Sequence, residues 1–221
     1  MKELKWPDDK EKARKVEEEL KKKVRLAPLK AEPGYVAGVD AAFVDDKLII
    51  SAACLFRYPE MTPVEEKYCI KEVRFPYIPG LLSFREGPAV IEALKRLTTR
   101  PDVVLFDGQG IAHPRGLGIA SYVGVLLEIP SIGCAKTRLI GRYREPGKRR
   151  GSSSKLMEGK SVIGAVLRTK EGTKPLFVSP GHLVSLEDSV KVVLGCVKGF
   201  RLAEPLRMAD ALSKKIKRSL E

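Results

Sequence analysis

Asparagine is absent from this 221-residue chain, and glutamine occurs once, as Gln109. Charged residues reach 31%. Scarce thermolabile amides with abundant charge are a bias of heat-adapted proteins. The four cysteines, Cys54, Cys69, Cys134 and Cys196, show no CxxC spacing, which argues against a zinc site and a disulfide framework. No run of about 18 apolar residues occurs, so no membrane span is expected. The first nine residues carry no apolar signal region, and a cytoplasmic location is the expectation. Acids are outnumbered, 28 against 41 Lys and Arg, for a net charge of +13. That balance points to a polyanionic partner, most simply nucleic acid.

What is present reads as one α/β domain over residues 1–221, with no repeat and no linker. Residues 8–24 predict an amphipathic helix, with Lys21, Lys22 and Lys23 suiting its C-terminal dipole. Residues 35–43, 48–58 and 64–75 predict three strands joined by short turns, an antiparallel meander. In the third strand, Tyr68, Ile70 and Val73 are the apolar positions. Residues 102–107 and 130–135 are nearly all apolar, the pattern of buried parallel strands, with a helix over 116–128 between them. Residues 141–160 are rich in Gly, Ser, Lys and Arg and read as a mobile basic surface segment. It is either a solvated loop or a phosphate-backbone contact. A strand pair at 161–168 and 174–179 and helices at 186–196 and 204–220 finish the chain.

Between the meander and the first buried strand lies Pro76-Tyr77-Ile78-Pro79-Gly80. Two prolines stiffen the loop and present Tyr77 and Ile78. A helix over 83–97 follows, with Ser83 as N-cap and Glu86 three residues on, the spacing of a capping box.

Asp40 sits in an apolar strand, and Asp107 ends another beside Gly108-Gln109-Gly110. Burying two carboxylates near each other is costly, and a divalent cation resolves the cost. Mg²⁺ suits a site with few carboxylates, several waters and substrate phosphate oxygens. Glu86 and Asp210 are candidates to complete the set. Each acid has an ordinary alternative: Glu86 as a cap, Asp107 in an Asx turn, Asp210 facing solvent.

Several blocks carry a resemblance. They are Val39-Asp40, the run from Pro76 to Pro88 (PYIPGLLSFREGP), Asp107-Gly108-Gln109-Gly110, Ala112-His113-Pro114-Arg115, Gly118-Ile119-Ala120-Ser121, Gly133-Cys134-Ala135-Lys136 and Phe177 to His182. In this order they resemble endonuclease V, the deoxyinosine 3′ endonuclease family. The resemblance implies a ribonuclease H-like mixed sheet, antiparallel meander first and parallel strands after, flanked by helices. It implies metal binding by Asp40, Glu86, Asp107 and Asp210, with Mg²⁺ as cofactor and Mn²⁺ able to substitute. It implies Mg²⁺-dependent hydrolysis of the second phosphodiester bond 3′ to a deaminated base in double- or single-stranded DNA, leaving a 3′-hydroxyl and a 5′-phosphate. Reading hypoxanthine needs an extruded nucleotide, a donor for O6 and an acceptor for N1.

Site roles follow from those requirements. Pro76, Tyr77, Ile78 and Pro79 are expected to form the wedge, and Gly80, Leu82, Gly108, Gly110 and Gly118 the lesion pocket. Lys136 is expected to stabilise phosphate charge, and His113 to act as acid, base or positioning group. Gln109 is expected to contact the lesion strand or support Asp107, and His182 to make a loop hydrogen bond. Competing readings are an inosine-specific endoribonuclease and a noncatalytic nucleic-acid-binding module. A monomer is the default.

Overall fold

The computed structural model describes residues 6, 7 and 9–221. The first helix, α1 (Lys10–Lys21), starts where Asp9 accepts a hydrogen bond from the Lys12 N–H at 2.8 Å. Its expected start at Asp8 lies outside the described residues. The meander follows as β1 (Tyr35–Val44), β2 (Leu48–Arg57) and β3 (Thr62–Glu72), each pair antiparallel. Asp45 and Asp46 turn the chain between β1 and β2 with φ of 45° and 55°, a left-handed backbone that Asp tolerates better than most residues.

Next come α2 (Leu82–Lys95), β4 (Val103–Phe106), α3 (Ile119–Leu127) and β5 (Ser131–Ala135). β4 lies parallel to β1, and β5 parallel to β4. Then β6 (Ser153–Glu158), β7 (Ser161–Leu167) and β8 (Leu176–His182) return antiparallel, with β8 against β5. The eight strands form one mixed sheet in the order β3-β2-β1-β4-β5-β8-β7-β6. The last helices are α4 (Leu186–Gly195) and α5 (Glu204–Arg218).

Two cores sandwich the sheet. Residues of α1, α2 and α3, among them Leu20, Phe84, Val90 and Tyr122, pack on one face. Val192 and Val193 of α4 and Leu206 and Ala209 of α5 pack on the other. Strand alternation assigns the sides: Val39 and Phe106 face the first core, Val36 and Leu105 the second.

Four expectations are corrected. The capping box does not form. α2 begins at Leu82 behind Leu81, without a side-chain cap, and Ser83 is buried inside the first turn. In β3 the phase is inverted. Cys69 is buried, while Tyr68 and Ile70 are 42% and 38% exposed. β3 is an edge strand with β2 as its neighbour, and α2 covers the Cys69 side. The basic segment at 141–160 is an ordered part of the sheet, because it contains β6. His182 lies in β8 rather than a loop, fully buried, where Nδ1 accepts the Arg25 N–H at 3.2 Å.

Candidate functional site

The parallel register between β1 and β4 ends at Val39 opposite Phe106. β1 continues to Val44, so from Asp40 onward its β4-facing edge is bare. The first residue after β4 is Asp107. Both acids therefore stand where the sheet opens and both helix layers can reach in. From one layer, α2 brings Glu86. A small cavity of about 40 Å³ is lined by Asp40, Glu86 and Asp107, with Val39, Val90, Phe106 and Ile119 as apolar wall. From the other layer, α5 brings Ser213, whose hydroxyl donates to Asp40 Oδ2 at 3.0 Å. Asp210, one turn earlier, is held by Lys214 at 2.8 Å.

The electrostatics are those of crowded acids in an apolar wall. Burial, then repulsion from Asp40 and Asp107, pushes the Glu86 carboxyl up to about 8. Burial and Asp107 push Asp40 up to about 6, with the Ser213 hydrogen bond opposing. Lys136, the first residue after β5, forms an ion pair with Asp107. Burial works against its ammonium, but Asp107, with Asp40 and Asp210 adding, raises its pKa. Arg201 fixes the chain at that point, donating to the Lys136 carbonyl at 2.8 Å.

The donor set suits a hard divalent cation: carboxylate oxygens, no thiol and no imidazole on the cavity wall. Two perturbed acids and an ammonium bound to a third mark a place that stabilises positive charge. Among the described residues, no three such side chains are already gathered about one point as a closed metal site. Lys136 and Lys214 engage two of the carboxylates instead.

His113 is not on the cavity wall. It is buried in the loop after β4, where burial and then Arg115 push its imidazole down to about 4. Its Nδ1 accepts the Arg115 N–H at 3.4 Å. Gln109 Nε2 donates to the Thr137 carbonyl at 3.2 Å, tying the turn after β4 to the turn after β5.

The proline loop stands at the same end of the sheet. Tyr77 is 67% exposed, the most exposed of the large apolar side chains among the described residues. Ile78 packs against the first core and anchors the loop rather than projecting beside Tyr77. Pro76 and Pro79 are exposed. Gly80 adopts φ of 78°, and its carbonyl accepts from Arg115. Arg115 is in turn held by Glu17 of α1 at 2.6 Å and 3.1 Å, and Glu17 is 2% exposed.

The remaining pocket glycines are occupied by the protein itself. A Cβ on Gly110 would lie 2.2 Å from the Pro180 carbonyl oxygen, and one on Gly118 2.2 Å from that of Gln109. Gly110 N–H donates to Ser179 Oγ at 2.8 Å, and its carbonyl accepts from Gly118 at 2.9 Å. Gly108 packs on Ile119. Leu82, 40% exposed, is the pocket candidate that faces outward.

Sequence reasoning missed Ser213, Arg201 and the Glu17–Arg115 pair. Each acts across more than 60 residues of chain, through hydroxyl, carbonyl or carboxylate contacts that no local pattern encodes.

The Endonuclease V family profile matches residues 18–211. A relative named Endonuclease V from Geotalea uraniireducens is 50% identical over 214 residues, 97% of this chain and 91% of its own. The chain belongs to the Endonuclease V family. It is an endonuclease, a DNA-binding hydrolase of DNA repair. The crystal structure of the Endonuclease V from Streptomyces avermitilis superposes with a TM-score of 0.93 at 40% identity, covering 98% of this chain and 96% of that one. The Endonuclease V of Ciona intestinalis, solved with a 24mer DNA containing an inosine followed by a ribo-adenosine, superposes at 0.84 with 31% identity, covering 96% and 98%. The mixed sheet with its helices is thus the family's ribonuclease H-like fold.

Proposed function

We propose that residues 1–221 act as one catalytic domain and as a monomer, nicking DNA at deaminated bases, deoxyinosine foremost. The cut falls at the second phosphodiester bond 3′ to the lesion and leaves a 3′-hydroxyl and a 5′-phosphate. The observation that carries this reading is the meeting of Asp40, Glu86 and Asp107 at the bare edge of β1, at the same end of the sheet as an exposed, proline-braced Tyr77. The inosine in the DNA bound by the Ciona relative supports the same lesion.

Asp40 and Asp107 would hold Mg²⁺ or Mn²⁺, with Glu86 and Asp210 completing the set. Such a cation, when bound, neutralises phosphate charge and lowers the pKa of an attacking water. Lys136 keeps a protonated ammonium at the scissile position and supplies a fixed positive charge for the phosphate oxygens. His113 stays neutral at pH 7, so it accepts a hydrogen bond and positions its loop rather than giving up a proton. Tyr77 stacks in the gap left by the extruded nucleotide, and stiffness from Pro76 and Pro79 limits the entropy lost on insertion. The first-turn N–H groups of α2, at Leu82 and Ser83, lack intrahelical acceptors and would serve as the donors that O6 of hypoxanthine requires.

The test is a nicking assay on a duplex with one deoxyinosine, with Mg²⁺ present or chelated, beside a matched RNA strand with one inosine. Expected is a single Mg²⁺-dependent nick at the stated bond in DNA. Asp40→Asn and Asp107→Asn should each lower the rate about 10³-fold while the far-ultraviolet dichroism stays unchanged. Undiminished cutting by either variant would refute the metal assignment. Faster cutting of the RNA strand would favour an endoribonuclease.

A further inference from the structure

The strand directions define one working end of the sheet. At that end β3 gives way to the Tyr77 loop, which runs back to Arg115 in the loop after β4, Asp107 follows β4 and Lys136 follows β5, and the chain entering β6 stands beyond them. From β4 to β6 are four interstrand steps. At about 4.8 Å each they span about 19 Å, the length of five or six base steps at 3.4 Å.

The chain from Lys136 to β6 is a built surface. Arg138 lies 5.8 Å over the Tyr143 ring, and Tyr143 meets Phe177 edge-on at 5.4 Å. Because Tyr143 turns inward in an extended segment, Arg142 and Arg144 turn outward together, and both are exposed. Two residues of extended chain separate them by about 6.7 Å, close to the spacing of neighbouring phosphates on one strand. Lys155 of β6 joins them along a groove of about 460 Å³ that also includes Tyr143, Ser154 and Met157.

Lys148 and Arg149 extend the patch on a loop that is held from below. Arg168, 8% exposed, donates to the carbonyls of Gly147 and Pro146 at 3.1 Å each, to that of Thr173, and to Glu145 at 2.7 Å. On α1, Lys12 and Lys15 are paired with Asp9 and Glu11, and Lys22 at its C-cap with Glu19. Among the described residues, Arg142, Arg144, Lys148, Arg149 and Lys155 have no carboxylate within ion-pair distance. Their charge is unneutralised, and the backbone beneath them is held by the Arg142–Met157 bridge and by Arg168.

We propose that this strap, Arg142 to Lys155 braced by Arg168, is a docking surface for the phosphate backbone of the duplex on the 3′ side of the cut. It rests on the reading above: the lesion sits at the Tyr77 loop, and the cut lies 3′ of it at the acids. The strap stands beyond the acids, so it takes the flank five or six base pairs further 3′. Arg168 is a positioning residue that presets the loop and reduces the ordering cost of binding.

The experiment uses inosine duplexes with twelve or three base pairs retained 3′ of the cut, and a second pair trimmed only on the 5′ side. Wild-type protein is compared with the fourfold variant R142A/R144A/K148A/R149A and with R142E/R144E. Trimming the 3′ flank should raise the wild-type KM about tenfold with kcat unchanged. Trimming the 5′ side should not. The fourfold variant should show the raised KM on the long duplex and no further rise on trimming, and the charge-reversed variant should be worse than alanine. Equal sensitivity to 3′ trimming in wild type and variant overturns the proposal, as does an effect confined to the 5′ side. If wild-type protein fails to nick the long inosine duplex, the functional reading fails. The strap is then judged by anisotropy on undamaged duplex, where about tenfold weaker binding of the fourfold variant supports it and unchanged binding overturns it.

Discussion

Glu86 shows what a single residue carries in this protein. Its carboxyl titrates near 8 in the fold, against an ordinary 4.5. Between those values the folded protein retains a proton that the unfolded chain has released. Stability therefore falls as pH rises through this window. Above pH 6.5 Asp40, about 6, is largely ionised in the fold, and the two histidines, both lowered by burial, oppose the slope only while unfolded imidazoles still hold protons near 6.5, so the slope belongs mainly to Glu86. In chelator, raising pH from 6.5 to 8.0 should cost about 1–2 kcal/mol, or about 3–6 °C in Tm. Glu86→Gln should flatten that slope, and Mg²⁺ should restore more stability at pH 8.0 than at pH 6.5. A thermal melt series measures all three, and a slope unchanged in the Gln variant would assign the proton elsewhere.

At the scale of elements, α1 is tied to the recognition loop. Glu17 on α1 holds Arg115, and Arg115 holds the Gly80 carbonyl. Removing the carboxylate leaves a partly buried guanidinium unpaired. Glu17→Ala should cost about 3 kcal/mol in urea unfolding. The Glu17→Ala/Arg115→Ala double variant should cost less than the sum of the singles, by about 1–3 kcal/mol. Strict additivity would show the pair to be uncoupled. None of this was legible in residues 8–24, where dense charge reads as a solvated helix face. The meander, the crossover at α3 and the positions of Asp40 and Asp107 were legible, because apolar runs and turn residues mark them locally. The start of α2, the phase of β3 and the presence of β6 were not. Ser83 is drawn into the core by Phe84 and its neighbours. Tyr68 and Ile70 lie on an edge strand whose cover comes from one side. β6 is a strand because β7 pairs with it and Arg168 braces the loop before it, and both lie outside the basic segment. Of the site, the acids came from motifs, whereas Ser213 and Arg201 emerge only when α5 and the chain before it fold back over β1 and β5.

For the whole molecule, a net charge of +13 is not spread evenly. Lys12 and Lys15 of α1 are paired with helix neighbours, whereas Arg142, Arg144, Lys148, Arg149 and Lys155 of the strap have no carboxylate partner among the described residues. Binding to undamaged duplex should weaken with salt, and four or five phosphate contacts give a slope of log K on log salt of about −4. A titration from 50 to 300 mM KCl measures it, and a flat response would remove electrostatics as the basis of general DNA affinity. The same strap has a second effect. Arg142 exchanges both backbone hydrogen bonds with Met157, at 2.7 Å and 2.8 Å, along the outer side of β6. One border of an eight-stranded open sheet is thereby partly covered. The other border, β3, carries Glu65, Glu66, Lys67, Lys71 and Glu72, charges that discourage a neighbouring strand from joining. Charge on β3 and the Arg142 bridge on β6 each make one rim a poorer template for cross-molecular stacking. Repeated thermal melts followed by light scattering should therefore show more scattering when Lys67 and Lys71 are both replaced by valine than in the wild-type protein.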